Sequence, residues 1–348
     1  VPKLSTSPSA AAIKGSSVAM NRPSGSRGNV RPSPSGKPLA ALWMDAQRGP
    51  RTVAMDAVGH ITNFRSAAPN TAGTYTFCGL QLLDRRIMSF LPVSGFASII
   101  GAYEKAMRTG HAITGVLVPR SFWADLGTPA VYLDAHAATG NSSGKRLHQT
   151  PHGRCGGFCA TAKTATIAHG ARIRDSVVMD GAIIGGHARL GRCVVGPEAR
   201  FDGRADEAII MAAADYPDQA IRETIRALDW DIHRAAVIPF PPRGSARSFH
   251  RLTCGARAAI MIRYSLERPE NAHYVPDARF LARAGIRVPA ILLHQPRRFI
   301  TVIEDLGDES LLKIVNRRGT GATMGHYRAT LALTARLHGA ATAQALRA

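Results

Sequence analysis

One stretch of the chain combines residue types that could hold a metal ion beside a phosphate. It reads SFWADLGTPAVYLDAH, covers residues 121–136 and sets Asp125 between an indole and a Gly-Thr-Pro turn. Gly127 permits a positive φ, and Pro129 suits the first turn of a helix capped by Thr128. We expect the preceding residues to form a strand that ends at Asp125. A carboxylate at a strand end beside a helix N-terminus can hold a metal–phosphate group, although the same residue could simply cap the turn.

A second candidate metal site lies in the stretch HQTPHGRCGGFC. Its His148, His152, Cys155 and Cys159 are soft and borderline donors whose spacing is compatible with tetrahedral zinc. Structural zinc sites usually draw their ligands from two separated knuckles, whereas these four residues are crowded into one short segment. A flexible Gly-rich linker with incidental His and Cys is the alternative interpretation.

The stretch that carries Asp125 lies in a region where strands and helices alternate. Residues 37–64 contain two strand-like segments, and GTYTFCGLQLL predicts a further strand over 73–83. Apolar residues then recur at helical spacing between residues 96 and 107. This alternation predicts an α/β unit over 36–136, followed by a linker over 137–160. Residues 1–35 are rich in Ser and Pro and contain no acidic residue, so we expect a disordered tail.

A run of apolar residues with a period close to six follows the linker. The spacings between its members are six, five, six, six, five and six residues, with small residues and glycines between them. One inward residue per step is typical of a parallel β-helix built from hexapeptides. We expect about two triangular coils over residues 161–205, covered at the ends by a neighbouring domain. The expected inward residues are Ile167, Ile173, Val178, Ile184, Leu190, Val195 and Phe201.

The amino-acid composition limits the classes of molecule that the chain is expected to bind. The chain carries a formal net charge of +20 with 37 Arg and 7 Lys, yet no basic stripe alternates with aromatic residues as a groove for single-stranded nucleic acid requires. Anionic phosphate substrates explain the same sign of charge, so nucleic acid is the less favoured partner. No apolar run is long enough for a membrane span. Five cysteines, an odd and sparse set, fit free thiols in a reducing cytoplasm.

These motifs resemble those of known families. Residues 36–136 resemble the C-terminal half of sugar-1-phosphate nucleotidyltransferases, through GTYTFCGLQLL, SGFASIIGAYEKAMRTG and FWADLGTPAVYLDAH. Within that family they are similar to N-acetylmuramate-1-phosphate uridylyltransferases and mannose-1-phosphate guanylyltransferases. Residues 161–203 resemble the left-handed β-helix often appended to such enzymes. Residues 219–348 resemble the N-terminal part of aminoglycoside-phosphotransferase-like sugar kinases, through RGSARSFHRL, RPENAHYVPDARFLARAGIRVPAIL and VIEDLGDESL.

The resemblance implies an α/β fold class with three parts. These are a partial Rossmann-like nucleotidyltransferase domain, a short left-handed parallel β-helix, and a partial kinase-like α+β lobe over residues 206–348. In the transferase family the Asp of the Trp-x-Asp-x-Gly-Thr motif helps to bind the catalytic Mg²⁺, which implies this role for Asp125. Sugar contacts come from the strand TYTFCG, which makes Thr76 and Gly79 candidates for sugar-phosphate binding, with plain core packing as the alternative.

On the kinase side, two segments resemble the parts that hold ATP. EDLGD resembles the hinge that reads adenine through backbone groups, here those of Glu304 and Leu306. RGSARSF resembles the turn that covers the phosphates, which places Gly244, Ser245 and Arg247 near them.

Several motifs of both families are missing from the sequence. The Gly-x-Gly-Thr-Arg loop, the catalytic Lys and the first metal-binding Asp of the transferases are not found. The kinase-like turn has Ala246 where related kinases have Asp, and Arg263 is the only cation where kinases carry a phosphate-pairing Lys. The kinase catalytic loop would lie beyond residue 348. We therefore expect an incomplete chain that lacks parts needed for both activities.

The leading hypothesis is a Mg²⁺-dependent cytoplasmic nucleotidyltransferase fused to an anomeric sugar kinase. It would form an NDP-sugar from a sugar 1-phosphate and UTP or GTP. The rival hypothesis is a non-catalytic scaffold in which the β-helix drives homo-oligomerisation and both nucleotide sites are relics. A basic nucleic-acid binder is a third interpretation. The sequence does not choose the sugar, the base or the oligomeric state.

Overall fold

The computed structural model describes residues 37–118, 122–142, 154–242 and 246–345. Contacts divide the chain into two compact units, Val1–Ser121 and Phe122–Ala348. The predicted transferase segment ended at residue 136, whereas this division falls between Ser121 and Phe122.

The first unit is a five-stranded sheet with one long helix. Its strands have the order β3-β2-β4-β1-β5, in which β5 runs parallel to β1 and the other neighbours are antiparallel. Tyr103 of α1 is fully buried against Leu42 and Ile113, and its hydroxyl donates to Gln81 Oε1 at 2.6 Å. The elements are β1 (Ala40–Asp45), β2 (Val53–Met55), β3 (Ile61–Asn63), β4 (Thr74–Leu83), a 3-10 turn (Arg85–Phe90), α1 (Ile99–Arg108) and β5 (Ile113–Leu117).

The second unit begins with a helix that packs on a parallel β-solenoid. Leu133 of the helix is 2% exposed and contacts Ala160, Val177 and Val194 of the solenoid. The elements are α2 (Pro129–Ser142), β6 (Arg154–Thr161), β7 (Thr166–Ile167), β8 (Arg172–Val178), β9 (Ile183–Ile184), β10 (Arg189–Gly191), β11 (Val194–Val195), β12 (Arg200–Phe201), β13 (Arg204–Asp206) and β14 (Ile209–Ala212).

The strands of the solenoid form three parallel faces around one apolar core. The first face consists of β6, β8, β10 and β13, the second of the later part of β8 with β11 and β14, and the third of β7, β9 and β12. Corners need residues without a Cβ: a Cβ on Gly186 would lie 2.7 Å from the carbonyl oxygen of His169. All seven predicted inward residues are at most 7% exposed and belong to this core. The predicted short β-helix is confirmed.

The solenoid has about three turns, over residues 155–210, rather than the two that the sequence predicts. The additional coil begins with β6, which pairs in parallel with β8 but lies mostly in the predicted linker. Its register shifts between Gly156 and Cys159, and this irregularity hides the period of six in the sequence.

An antiparallel sheet continues directly from the last coil. β15 pairs with β14, and the order onward is β15-β16-β17-β19-β18. On one side of it, Ile221 and Ile225 of α3 pack with Trp230, Val237 and Leu252. The elements are α3 (Gln219–Ala227), β15 (Ala235–Pro239), β16 (Ser248–Cys254), β17 (Arg257–Arg263), α4 (Tyr274–Arg283), β18 (Ile291–Gln295), β19 (Ile300–Glu304), α5 (Leu311–Arg318), α6 (Met324–Arg336) and α7 (Thr342–Ala345), with a π-helical segment (Leu337–Ala341) between the last two.

None of the helices in the described residues combines the length and the apolarity that crossing a bilayer requires.

Candidate functional site

The segments expected to hold ATP lie at the ends of strands in the antiparallel sheet. The turn that contains Arg247 connects β15 to β16, while Glu304 is the last residue of β19 and Leu306 follows it, 65% exposed. The guanidinium of Arg247 donates through Nε to Asn271 Oδ1 at 2.6 Å, and the Glu304 backbone N–H donates to the Ala290 carbonyl at 2.8 Å. Gly244 and Ser245 lie outside the described residues.

A buried arginine fixes the loop that follows β19. Arg251 of β16 donates through Nε and Nη2 to both carboxylate oxygens of Asp305, at 2.6 and 3.1 Å. It also donates through Nη1 and Nη2 to Asp308, both at 2.8 Å, and its guanidinium lies 5.4 Å from the centre of the Phe240 ring. The side chains of Arg251 and Asp305 are 9% and 8% exposed. The segment DLGD is therefore held against the sheet at two points.

These hydrogen bonds also shift the pKa values of Arg251 and Asp308. Burial alone would lower the pKa of Arg251, but the hydrogen bonds to Asp308 and Asp305 outweigh it and raise that pKa. The hydrogen bonds from Arg251 lower the pKa of Asp308 below its ordinary value. These opposite shifts favour the charged forms of both Arg251 and Asp308.

Asp125 lies in the second unit and is exposed to solvent. The predicted helix is confirmed, since α2 begins at Pro129 and the Val131 N–H donates to Thr128 Oγ1 at 3.3 Å. The predicted strand up to Asp125 is wrong: β5 ends at Leu117, and residues 122–126 form no strand. Within the described ranges, no group of three or more His, Cys, Asp or Glu side chains could hold a metal ion.

The two candidate sugar-phosphate residues lie on β4 in the first unit. Thr76 is 3% exposed, and its hydroxyl donates to the Arg48 carbonyl at 2.5 Å and accepts from the Arg51 N–H at 2.9 Å. These bonds give its side chain a structural function in holding the turn after β1. Gly79 is exposed, has φ of +84° and lies where the register between β1 and β4 shifts.

The four candidate zinc ligands are described only in part. His148 and His152 lie outside the described residues. Cys155 and Cys159 are on β6, the first exposed and the second buried, and the Cys159 thiol donates to the Ile173 carbonyl at 3.4 Å. Burial raises the pKa of the Cys159 thiol, which disfavours the thiolate that zinc requires.

A cleft of about 1000 Å³ lies in the second unit. One wall is the first face of the solenoid, and the other consists of the end of β15, Arg251 and the segment from Asp308 to α5. The described charged side chains that line it are seven cations and four carboxylates. They are Arg172, Arg174, Arg189, Arg204, Arg251, Lys313 and Arg317, with Asp206, Glu207, Asp308 and Glu309.

Arginines in this cleft are aligned by the solenoid. Arg189 of β10 is the register partner of Arg172 on one side and of Arg204 on the other. No basic stripe is apparent in the linear sequence, because these residues are well separated along the chain and come together only through the coils. The spacing of whole coils, once recognised, is the signal that could have located them.

No protein-family model matches the chain, and no curated protein matches it.

Proposed function

We propose that the chain is part of an NDP-sugar-forming nucleotidyltransferase joined through the solenoid to a sugar-kinase lobe. The kinase would phosphorylate the anomeric hydroxyl of a sugar, and the transferase would join that sugar 1-phosphate to UTP or GTP with Mg²⁺. Asp125 would contact the metal, and Thr76 and Gly79 would lie near the sugar phosphate. Five free cysteines support a reducing cytoplasm as its location.

The observation that carries this proposal is the order of parts in the second-unit sheet. In protein kinases a Gly-rich loop covers the phosphates of ATP. The phosphate-binding Lys is on the third strand, and it pairs with a Glu of helix αC. Here the turn of RGSARSF joins the first two strands of the antiparallel sheet, and α4 lies between the third and fourth strands in the chain. The fifth strand, β19, is buried and leads into the expected hinge loop.

The third strand departs from that pattern. β17 ends in Arg263, whose guanidinium forms an ion pair with Asp218 at the start of α3. A cation that binds the phosphates of ATP would therefore have to come from elsewhere.

Nucleotide binding tests the kinase part. Titration calorimetry with Mg-ATP on the full chain should show saturable binding that Leu306→Pro weakens at least tenfold, because proline has no N–H to offer adenine. The matched control is Leu306→Ala, which keeps the backbone N–H and should bind as the parent does. Equal affinity for all three chains would contradict the hinge assignment.

Pyrophosphate release tests the transferase part. The full chain is incubated with Mg²⁺, UTP or GTP and a panel of sugar 1-phosphates. The variant is Asp125→Asn, and the control is Asp134→Asn, which changes an aspartate on the helix that follows Asp125. Release that only Asp125→Asn abolishes supports the proposal. If no sugar 1-phosphate leads to release of pyrophosphate, the proposed transferase activity of this chain is wrong.

A non-catalytic scaffold is the second candidate, and the solenoid is the observation that favours it. In that case the solenoid would join copies of the chain, and neither nucleotide would bind. Light scattering after size exclusion distinguishes the two: a stable trimer without ATP binding favours the scaffold. A nucleotide-binding monomer favours the enzyme.

A further inference from the structure

The cleft is lined by more cations than carboxylates, seven against four within the described residues. Arg251 is already paired with two aspartates, and Arg317 Nη1 lies 2.6 Å from Glu309 Oε1. By contrast, Arg172, Arg174 and Arg204 form neither a salt bridge nor a side-chain hydrogen bond within the described part of the chain. All three are exposed on the first face of the solenoid. Arg204 also contributes to the lowered pKa values of Asp308 and Glu309, so it lies within electrostatic reach of both carboxylates.

The solenoid forces these like charges together. Parallel strands lie about 4.8 Å apart, so the aligned Arg172, Arg189 and Arg204 repel one another unless an anion lies among them. Arg189 is fixed in the middle of the row, because its Nη1 donates to the carbonyls of Gly170 and Ala188 at 3.0 and 2.8 Å. The register thus aligns three arginines in one row, with the middle one held in place.

Arg174 adds a second point of contact two residues along β8, about 7 Å from the row. Its register partners on both sides are glycines, Gly156 and Gly191, and the neighbouring side chain on the Gly191 side is that of Asp206. A Cβ on Gly191 would lie 3.6 Å from Arg174 Nη2 and only 2.2 Å from Asp206 Oδ1, which shows that both groups occupy the space above this glycine. Two separated cationic points suit two phosphates better than one.

The opposite wall has an apolar part beside its charged residues. Ile238, Pro239, Phe240 and Pro241 line the cleft there. A volume of about 1000 Å³ lies at the upper end for small-molecule sites and accommodates a sugar or base in addition to phosphates. Guanidinium groups bind phosphate through paired N–H donors in a fixed geometry.

We propose that this cleft binds an organic diphosphate, with Arg172, Arg174 and Arg204 holding the phosphates and the Ile238–Pro241 wall contacting the organic part. The proposal depends on neither the assigned hinge residue Leu306 nor Asp125, so it can be tested apart from the proposed catalytic activity. It gives the solenoid a ligand-binding function in addition to its structural one.

Calorimetric titration of the full chain with ADP and with inorganic pyrophosphate tests the site, at about 0.15 M salt so that diffuse charge is screened. We expect saturable binding of both probes, and at least tenfold weaker binding in R172Q/R204Q. The matched control is R200Q, which removes an exposed arginine from β12 on the third face and should leave both affinities unchanged. Arg174→Gln, a single change, serves if the double variant fails to fold by circular dichroism.

Three outcomes would overturn the proposal. They are no saturation by either probe at millimolar concentration, equal weakening by R200Q, or tight binding of single-stranded RNA that millimolar ADP does not displace. The Leu306→Pro variant separates this site from the hinge. Retained pyrophosphate binding in Leu306→Pro, with loss in R172Q/R204Q, supports the cleft whatever becomes of the kinase assignment.

Discussion

Arg251 shows how a single buried cation can organise a loop that is remote in sequence. Its partners Asp305 and Asp308 are 54 and 57 residues away, and all four of its hydrogen bonds to them are 3.1 Å or shorter. The side chains of Arg251 and Asp305 are both nearly inaccessible to water. In such surroundings, loss of one partner leaves an uncompensated charge whose desolvation is costly.

Arg251→Met should therefore destabilise the second unit by about 3–5 kcal/mol, because Asp305 stays buried without a cation. Urea denaturation followed by circular dichroism measures the change. Arg263→Met is the matched control: it removes an arginine from the exposed pair with Asp218 and should cost no more than about 1 kcal/mol. Similar losses in both variants would show that burial does not govern these pairs.

The depressed pKa of Asp308 predicts a pH dependence. Its folded pKa lies below the ordinary 3.8, so the unfolded chain binds the proton more readily. The stabilisation is fully present above about pH 4 and is lost as the pH falls through the folded pKa. Asp308→Asn should thus be less stable than the parent at pH 6, and the difference should shrink below pH 3.8 when denaturation is repeated across pH. A difference that does not change with pH would contradict this account.

Sequence reasoning reached some of these residues and missed others for a physical reason. The seven inward residues of the solenoid follow a short-range period, so their burial could be predicted. Two features depend on contacts between distant segments, which no local spacing in the sequence indicates. They are the hydrogen bonds from Arg251 to Asp305 and Asp308, and the alignment of Arg172, Arg189 and Arg204. Thr76 could be placed on a strand, but its hydroxyl bonds to the turn near Arg48 could not be foreseen.

At the scale of elements, the solenoid derives its cohesion from rows of aliphatic side chains. Ile184 of the middle coil is fully buried between its register partners Ile167 and Phe201. Such a coil contacts only its neighbours, so a cavity in the middle weakens both interfaces.

Ile184→Ala should lower the free energy of unfolding by about 2–5 kcal/mol. The control is Ile183→Ala, the adjacent residue of the same type on β9, which is only half-buried and should cost clearly less. Thermal or urea denaturation of the two variants gives the comparison. A larger loss in Ile183→Ala would mean that the inward and outward positions have been exchanged.

Two elements were predicted incorrectly in part, each for a local cause. The strand after α1 was extended to Asp125, yet the sequence has Pro119 just beyond the observed β5, and proline cannot donate to a sheet. The first coil was assigned to a linker because RCGGFCAT breaks the period of six where its register shifts. The helix after the Gly-Thr-Pro turn was predicted correctly, since its cap is a local property.

At the scale of the whole molecule, charge is the dominant feature. A formal net charge of +20 repels itself in the folded state, and salt screens that repulsion. Screening worth 1 kcal/mol would raise the melting temperature by about 2–4 °C. We therefore expect NaCl to stabilise the chain, as measured by scanning fluorimetry. Sodium pyrophosphate at equal ionic strength should raise the melting temperature further, because it should also bind in the cleft. Equal increases with the two salts would mean that charge screening alone explains the stabilisation.

The constant register of the coils also has an evolutionary consequence. Each coil takes roughly sixteen residues to return to the same face, as the spacing of the aligned arginines shows. Duplication or deletion of one such segment would add or remove a rung of the arginine row and leave every other side chain on its original side. Insertion or deletion of a single residue within a strand would instead turn core residues outward. Gain or loss of a whole coil is therefore the change that alters the length of the arginine row and preserves the core.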